Sequence, residues 1–279
     1  MENITNEQYN EFCSFLEQQS GIVLGPSKQY LIVSRLTPLI SQFKLNNLAE
    51  LLDSAMDPKH RQVRLEVIDA MTTNETLWFR DSYPYDMLKD VILPEFNQSR
   101  PSAPIKIWSA ASSSGQEPYS IAMTCFETNI PRLKTPQGVQ ITGTDISPTM
   151  LSLCKQGNYD YIALNRGLSP QRKKLFFTRV NEQCMTVNPE VKCLVNFKLL
   201  NLLDSYSSLG KFDVIFCRNV LIYFSPQVKS KIISQLASAL NPRGYLFLGA
   251  SESVAGLNDS FDMERYNHGI VYRLKESKA

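Results

Sequence analysis

The sequence predicts an α/β protein: a doubly wound, mostly parallel sheet with a small β-hairpin insertion, preceded by an all-α N-terminal domain. Three observations carry that expectation. From about Ile105 onward, short β-rich apolar runs alternate with helical patterns, the texture of parallel strands joined by crossover helices. Before that point the apolar residues recur only at helical spacing. A chain of 279 residues also has room for two unequal domains. The divisions expected are a helical domain over 1–72, a linker over 73–104 and the sheet domain over 105–279, with the insertion at about 172–195.

Taken in order, the first helix opens at Thr5, which forms a capping-box pattern with Gln8; it carries Tyr9, Phe12, Cys13 and Leu16 on one face and stops at Gly21. A second starts near Pro26 and Ser27 and carries Tyr30, Ile32, Val33 and Leu36, and Pro38 should kink or end it by removing a backbone donor. The third follows Asn47 with Leu48, Leu51, Leu52 and Ala55, and the fourth uses Val63, Val67, Ile68 and Met71. The expected central strands are Ile105 to Ala110, Val139 to Asp145, Val195 to Leu200, Phe212 to Cys217 and Gly244 to Gly249. His268 to Lys275 is expected as an antiparallel edge strand. Lys155 to Leu194 is too long for a simple crossover, and the alternation of Phe177, Val180, Met185, Val187 and Val191 within it suggests the hairpin.

Composition excludes several functions. With 43% hydrophobic and 20% charged residues the chain has the make-up of a globular core, not of disorder. A net charge of +2 lacks the basic excess of a nucleic-acid binder. Two histidines, His60 and His268, are too few for a histidine metal site or a nucleophile–base–orienter triad, so no metal is expected. The six cysteines are scattered without a Cys-x-x-Cys pair and read as reduced core residues. No apolar stretch approaches the roughly 18 residues of a membrane span, and MENITNEQYN has no basic-then-apolar leader, so a cytoplasmic chain without direct membrane insertion is expected.

In a doubly wound sheet, ligands bind outside the carboxyl ends of the strands. After the first strand comes SAASSSGQEPYS, small residues and Gly115 that admit close backbone approach, with Glu117 at the start of a helix. After the second stands Asp145, whose carboxylate suits the vicinal hydroxyls of a ribose, although by itself it serves equally as a helix cap. The third is followed by Asn201, Leu202 and Asp204, an amide and an apolar side chain suited to an adenine ring. The fourth leads into Arg218, Asn219 and Tyr223. Each alone is weak; four successive strand ends together point to a nucleoside-containing cofactor, without choosing between a nicotinamide and S-adenosylmethionine. The absence of a full Gly-x-Gly-x-x-Gly after the first strand disfavours the nicotinamide.

Six blocks in order, MTTNETLWFRD (Met71 to Asp81), WSAASSSGQEPYSIA (Trp108 to Ala122), TDIS (Thr144 to Ser147), NLLD (Asn201 to Asp204), FDVIFCRNVLIYF (Phe212 to Phe224) and GYLFLGASES (Gly244 to Ser253), resemble the chemotaxis receptor glutamate O-methyltransferases of the CheR family. The resemblance spans most of the chain, with departures at Trp78, Gln116 and Ala250, where the family often has phenylalanine, glutamate and histidine. It implies a class I S-adenosylmethionine-dependent methyltransferase (Rossmann-like) domain behind a helical domain that helps dock the receptor. Carried onto matching positions, it implies Asn74, Thr76, Arg80, Glu117, Asp145, Asn201, Leu202, Arg218 and Asn219 as cofactor-binding, with Arg80 and Tyr223 nearest the transferred methyl. The product would be S-adenosylhomocysteine and the partner the cytoplasmic domain of a methyl-accepting chemotaxis receptor. A monomer that binds no nucleic acid is expected.

That chemistry agrees with the missing histidine: a glutamate nucleophile with a pKa near 4.3 is already ionised at neutral pH and needs no general base. Lys28 and Arg35, two turns apart on the second helix, are candidates for substrate docking. In family members that capture a C-terminal receptor tether the hairpin turn tends to be long and glycine-rich. Thr178 to Val191 contains no glycine, so no tether peptide is expected.

Overall fold

The computed structural model describes residues 4–266 and 269–276. The chain divides into two compact units, Met1–Thr73 with Tyr223–Val228, and Asn74–Ile222 with Lys229–Ala279.

The first unit is built on four helices, α1 (Asn6–Ser20), α2 (Gln29–Phe43), α3 (Leu48–Met56) and α4 (Arg61–Met71). The Thr5 hydroxyl accepts from Gln8 N at 3.2 Å while Thr5 N donates to Gln8 Oε1 at 3.0 Å, so two orphan donors of α1 are satisfied reciprocally. Gly21 closes the helix at φ 78°, a left-handed conformation that glycine adopts without penalty. Asn47 caps α3 by accepting from Glu50 N at 2.9 Å. Pro38 does not end α2, which runs on to Phe43. Ile32, Leu36 and Leu39 are all buried on that helix, and their packing offsets the roughly 3 kcal/mol that an interior proline costs. Phe12, Leu16, Ile32, Leu36, Leu51 and Val67 join in one core.

In the second unit, α5 (Tyr83–Met87), a π-helical turn (Leu88–Ile92) and α6 (Leu93–Ser99) precede β1 (Ile105–Ala110). Then follow α7 (Gln116–Phe126), β2 (Val139–Asp145), α8 (Pro148–Gln156), β3 (Asn158–Asp160), α9 (Tyr161–Asn165), α10 (Pro170–Phe176), β4 (Phe177–Arg179) and β5 (Cys184–Val187). The chain ends with α11 (Pro189–Lys192), β6 (Val195–Leu199), β7 (Phe212–Cys217), α12 (Pro226–Ala239), β8 (Leu240–Leu248), β9 (Phe261–Tyr266) and β10 (Gly269–Leu274). Residues 74–104 pack with this unit, placing Tyr85, Leu88, Ile92 and Leu93 in its core.

Seven strands form one sheet in the order β6-β2-β1-β7-β8-β10-β9. The first five are parallel, and β10 pairs antiparallel with both β8 and β9. Ile107, Trp108, Val214, Ile215 and Phe216 are wholly buried, as expected of strands covered on both faces. The central strands lie where their apolar runs place them. The last one starts earlier than expected, at Leu240, with a register irregularity between Phe212 and Val214.

One expectation is corrected. β10 is antiparallel, but it sits inside the sheet; the edge is β9, whose FDMERY sequence is polar and largely exposed and so carries no apolar signal. His268, the expected start of β10, lies outside the described residues. The insertion contains the expected hairpin, β4–β5, and a further strand, β3, completes a three-stranded sheet in the order β3-β5-β4. Its extra strand is only Asn158–Asp160, too short for alternation to show. The cysteines divide as well: Cys125, Cys154 and Cys217 are buried, Cys13 and Cys184 partly so, and Cys193 is exposed.

At the amino end of the sheet, Asp213 is 1% exposed and completely occupied. It accepts from Lys106 N at 2.9 Å and Asn241 Nδ2 at 2.6 Å, and pairs with Arg100 NH2 at 2.7 Å.

Candidate active site

Because β6, β2, β1 and β7 are neighbours, the segments leaving their carboxyl ends emerge side by side. Ser112 N donates to Thr144 O at 2.8 Å and Leu200 N to Asp145 O at 3.0 Å, tying three of these loops together. The loop after β1 turns through left-handed backbone at Ala111 (φ 62°), Ser113 (φ 50°) and Gly115 (φ 95°). Such a conformation costs an L-residue roughly 1–2 kcal/mol, so the loop holds strain that its surroundings enforce. At Gly115 a side chain is also blocked, since a Cβ would lie 2.9 Å from the Tyr159 hydroxyl and 3.1 Å from Cys154 Sγ.

Asp145 is buried and held on both oxygens: Ser113 N donates to Oδ2 at 2.8 Å and Ser147 N to Oδ1 at 2.9 Å. The Ser113 hydroxyl in turn donates to Asn74 O at 2.7 Å, which brings the linker to the same loop. Asn201 Oδ1 accepts from Leu203 N at 3.0 Å, and Leu202 is buried with its carbonyl accepting from the Tyr206 hydroxyl at 2.7 Å. Thr76 is half-buried in the linker. Trp78 is fully buried there; its Nε1 donates to Ala163 O at 3.1 Å, and its ring meets Tyr159 and Phe177 edge-on, so the linker is locked onto the inserted sheet.

The centre of the arrangement is Arg218, just past β7. NH1 donates to Glu117 Oε2 at 3.1 Å, and NH2 donates to Asp81 Oδ2 at 2.6 Å and to Arg80 O at 3.0 Å. The Ser109 hydroxyl donates to Glu117 Oε1 at 2.8 Å. Burial pushes the Glu117 carboxyl above its ordinary range, against the opposing pull of Arg218, Ser109 and the nearby charge of Arg80. Burial works against the charge on Arg218 as well, but Glu117, Tyr85 and Asp81 outweigh it and the guanidinium stays protonated. Two buried polar atoms here, Arg218 Nε and the Tyr85 hydroxyl, have no hydrogen-bond partner among the described residues. The Arg80 side chain forms no ion pair among the described residues.

Asn219 follows at φ 59°, and its N–H donates to Glu252 Oε2 at 2.7 Å. Tyr223 belongs to the helical unit, ends a 3₁₀ turn (Leu221–Tyr223) and accepts at its carbonyl from Val23 N at 2.9 Å. In the same unit, Lys28 is not inside α2 but precedes it, at the N-cap position and without a side-chain capping bond; exposed, it lies over the Tyr30 ring at 5.5 Å. Arg35 is engaged differently: NH1 donates to Met71 O at 2.7 Å and Thr72 O at 3.0 Å, and NH2 to Thr73 Oγ1 at 3.1 Å. It therefore closes the carboxyl end of α4, where a cation is favoured.

Sequence reasoning passed over Asp81, Tyr85 and Glu252, though Asp81 and Glu252 stand inside the quoted blocks. An acidic residue in a loop carries no periodicity, and the partners of Glu252 are backbone N–H groups that no sequence pattern reveals.

A five-stranded parallel core with antiparallel strands at one side, and a strained small-residue loop and fixed acidic groups at its carboxyl ends, are the frame of a doubly wound α/β domain with its ligand crevice at the strand ends, and the family profiles make it a class I S-adenosylmethionine-dependent methyltransferase. The profile of the CheR methyltransferase SAM binding domain matches residues 74–270, and that of the CheR methyltransferase all-alpha domain matches residues 7–72. The chain belongs to the CheR methyltransferase family. It is 57% identical to chemotaxis protein methyltransferase 1 of Vibrio cholerae, over 98% of each chain. It is 49% identical to chemotaxis protein methyltransferase Cher2 of Pseudomonas putida, over 97% of this chain and 98% of that one. The chemotaxis protein methyltransferase of Borreliella burgdorferi is 33% identical over 91% of this chain and 90% of its own. Among the described residues, no helix is long and apolar enough to cross a membrane.

Proposed function

We propose that the protein esterifies glutamate side chains of methyl-accepting chemotaxis receptors, with S-adenosylmethionine as methyl donor, as a monomer in the cytoplasm. The observation that supports the reading is the pair of buried carboxylates beyond adjacent strands, Glu117 paired with Arg218 and Asp145 held by Ser113 N and Ser147 N. The donor set fits the cofactor: an anionic Glu117 suits a cationic ligand, the oriented Asp145 suits ribose hydroxyls, and the unpartnered Arg218 Nε and Tyr85 hydroxyl lie near Glu117. Asn74, Thr76, Asn201, Leu202 and Asn219 complete the proposed contacts from the linker and the neighbouring strand ends.

When bound, S-adenosylmethionine supplies an electrophilic methyl on a sulfonium. The receptor carboxylate is ionised at neutral pH, so the protein has no proton to remove. Its task is to align the two reactants and exclude water. Arg218, held between Glu117 and Asp81, keeps the loop after β7 rigid and balances the acidic charge. Arg80, without an ion pair among the described residues, is the cation proposed to orient the incoming carboxylate, and the Tyr223 ring is proposed to face the sulfonium. An arginine that gripped the substrate carboxylate tightly in the ground state would slow the transfer, so a loose Arg80 suits the reaction.

Lys28 remains an exposed docking candidate, whereas the bonds of Arg35 give it the added task of closing α4. The turn between β4 and β5 is short and polar, with Val180 N donating to Cys184 O at 3.0 Å and Gln183 N to Asn181 Oδ1 at 2.8 Å. Its shortness and lack of glycine support methylation without a receptor tether. The test is transfer of labelled methyl groups from S-adenosylmethionine to receptor-bearing membrane fractions. A base-labile product at glutamate is expected; a base-stable product, or no transfer, would rule the reading out.

A further inference from the structure

Where the parallel pair β7 and β8 ends, at Cys217 opposite Leu248, the ladder is not left open. Glu252, in the turn after β8, reaches back across both chain ends. Its Oε2 accepts from Asn219 N at 2.7 Å and from Gly249 N at 2.7 Å, and its Oε1 accepts from Ile222 N at 3.3 Å. Glu252 N donates to Gly249 O at 2.9 Å, so the turn that carries the carboxylate is itself closed. One side chain thus gathers backbone donors from two segments that no strand pairing joins any longer.

Two further features depend on that grip. Asn219 is a non-glycine residue at φ 59°, a conformation that persists only where its surroundings impose it. Gly249 lies so close that a Cβ there would stand 2.7 Å from Asn219 Nδ2, 2.7 Å from Glu252 Oε2 and 2.9 Å from Asn219 N. The Asn219 amide therefore packs directly on the Gly249 backbone, and both its main chain and its side chain are held by the same corner.

We infer that Glu252 is a positioning residue for methyl transfer: it imposes the left-handed turn at Asn219 and thereby aims the Asn219 amide into the cofactor site. This rests on the proposed cofactor role of Asn219. Glu252 touches neither reactant in this scheme and acts only through the turn it holds.

The test is a double-mutant cycle on the full chain, read by calorimetry with S-adenosylhomocysteine and by the KM for S-adenosylmethionine. Glu252→Ala should weaken both about tenfold or more, the loss expected when several charge-assisted hydrogen bonds vanish, while the KM for the receptor stays within about twofold. Asn219→Ala should weaken them similarly, and the double variant should be no worse than the poorer single one, because both changes remove the same aimed amide. If Glu252→Ala does not fold, Glu252→Gln, which retains one acceptor oxygen, should give an intermediate loss with unchanged far-UV circular dichroism. Glu252 variants that are folded and bind within about twofold of the parent would overturn the inference, as would losses that multiply in the double variant. Asp145→Asn is the separate control. If it and Asn219→Ala both bind normally, the cofactor reading itself has failed and the role of Glu252 falls with it; if only the Glu252 variants bind normally, that reading stands and the positioning role alone is lost.

Discussion

The two ends of the same sheet handle buried charge in opposite ways. At the amino end, Asp213 is saturated by a backbone N–H, an amide and Arg100, and the surrounding polar groups are spoken for. At the carboxyl end, Arg218 serves two carboxylates yet leaves Nε without a partner, the Tyr85 hydroxyl is likewise unpartnered, and Ala111, Ser113 and Asn219 sit in left-handed backbone. Left-handed backbone occurs at the amino end as well, at Arg243 (φ 61°) close to Asn241, so what separates the carboxyl end is unsatisfied polarity that a bound ligand can relieve. The difference teaches that neither burial of a charge nor backbone strain marks a functional site; incomplete satisfaction of buried polar groups does.

The comparison breaks first at Asp213. Asp213→Ala leaves Arg100 and two donors without their acceptor, so chemical denaturation should show a loss of about 3–5 kcal/mol. S-adenosylhomocysteine affinity of the folded fraction should not change. At the other end, Arg218→Lys loses the fork that spans Glu117 and Asp81, and calorimetry should register a drop in cofactor affinity of about 2–3 kcal/mol. If instead Asp213→Ala abolished binding while Arg218→Lys left it intact, the functional contrast between the ends would be reversed.

A pH titration sharpens the contrast. Glu117 must be ionised to attract a cation, and burial raises its pKa, so affinity should rise with pH through a window lying above the ordinary carboxylate range near 4.3. Glu117→Gln should flatten that limb. For stability the sign is opposite: the folded protein binds this proton more readily than the unfolded chain. The contribution of Glu117 is therefore fully present below the unfolded value and is lost as pH rises through the folded one. The smallest effect is expected at Ala111, φ 62°, where Ala111→Gly should relieve strain and raise stability by about 0.5 kcal/mol once the added freedom of the unfolded chain is subtracted. Thermal melting reads this shift, and a fall in melting temperature would show that the loop after β1 is not strained.

Much of the fold was legible because its signals are local. Apolar runs such as those of β1 and β7 placed the central strands, and Thr5, Gln8 and Gly21 delimited α1. β3 and β9 escaped because one is three residues long and the other is polar. Pro38 does not end α2, because its local cost is offset by the packing of Ile32, Leu36 and Leu39. Glu117, Asp145, Arg218 and Asn219 could be picked out only because strand ends in this kind of sheet face a common crevice.

By itself, then, the order of residues determined the alternation of strands and crossover helices, the family resemblance and the positions from which a cofactor site can be built, since each is written in neighbouring side chains. Tertiary structure alone decided that Arg218 is shared between Glu117 and Asp81, that Arg35 closes α4 and that Glu252 grips the turn at Asn219. Those partners are distant in the chain and several are bare backbone groups, identical at every residue, so only folding singles them out.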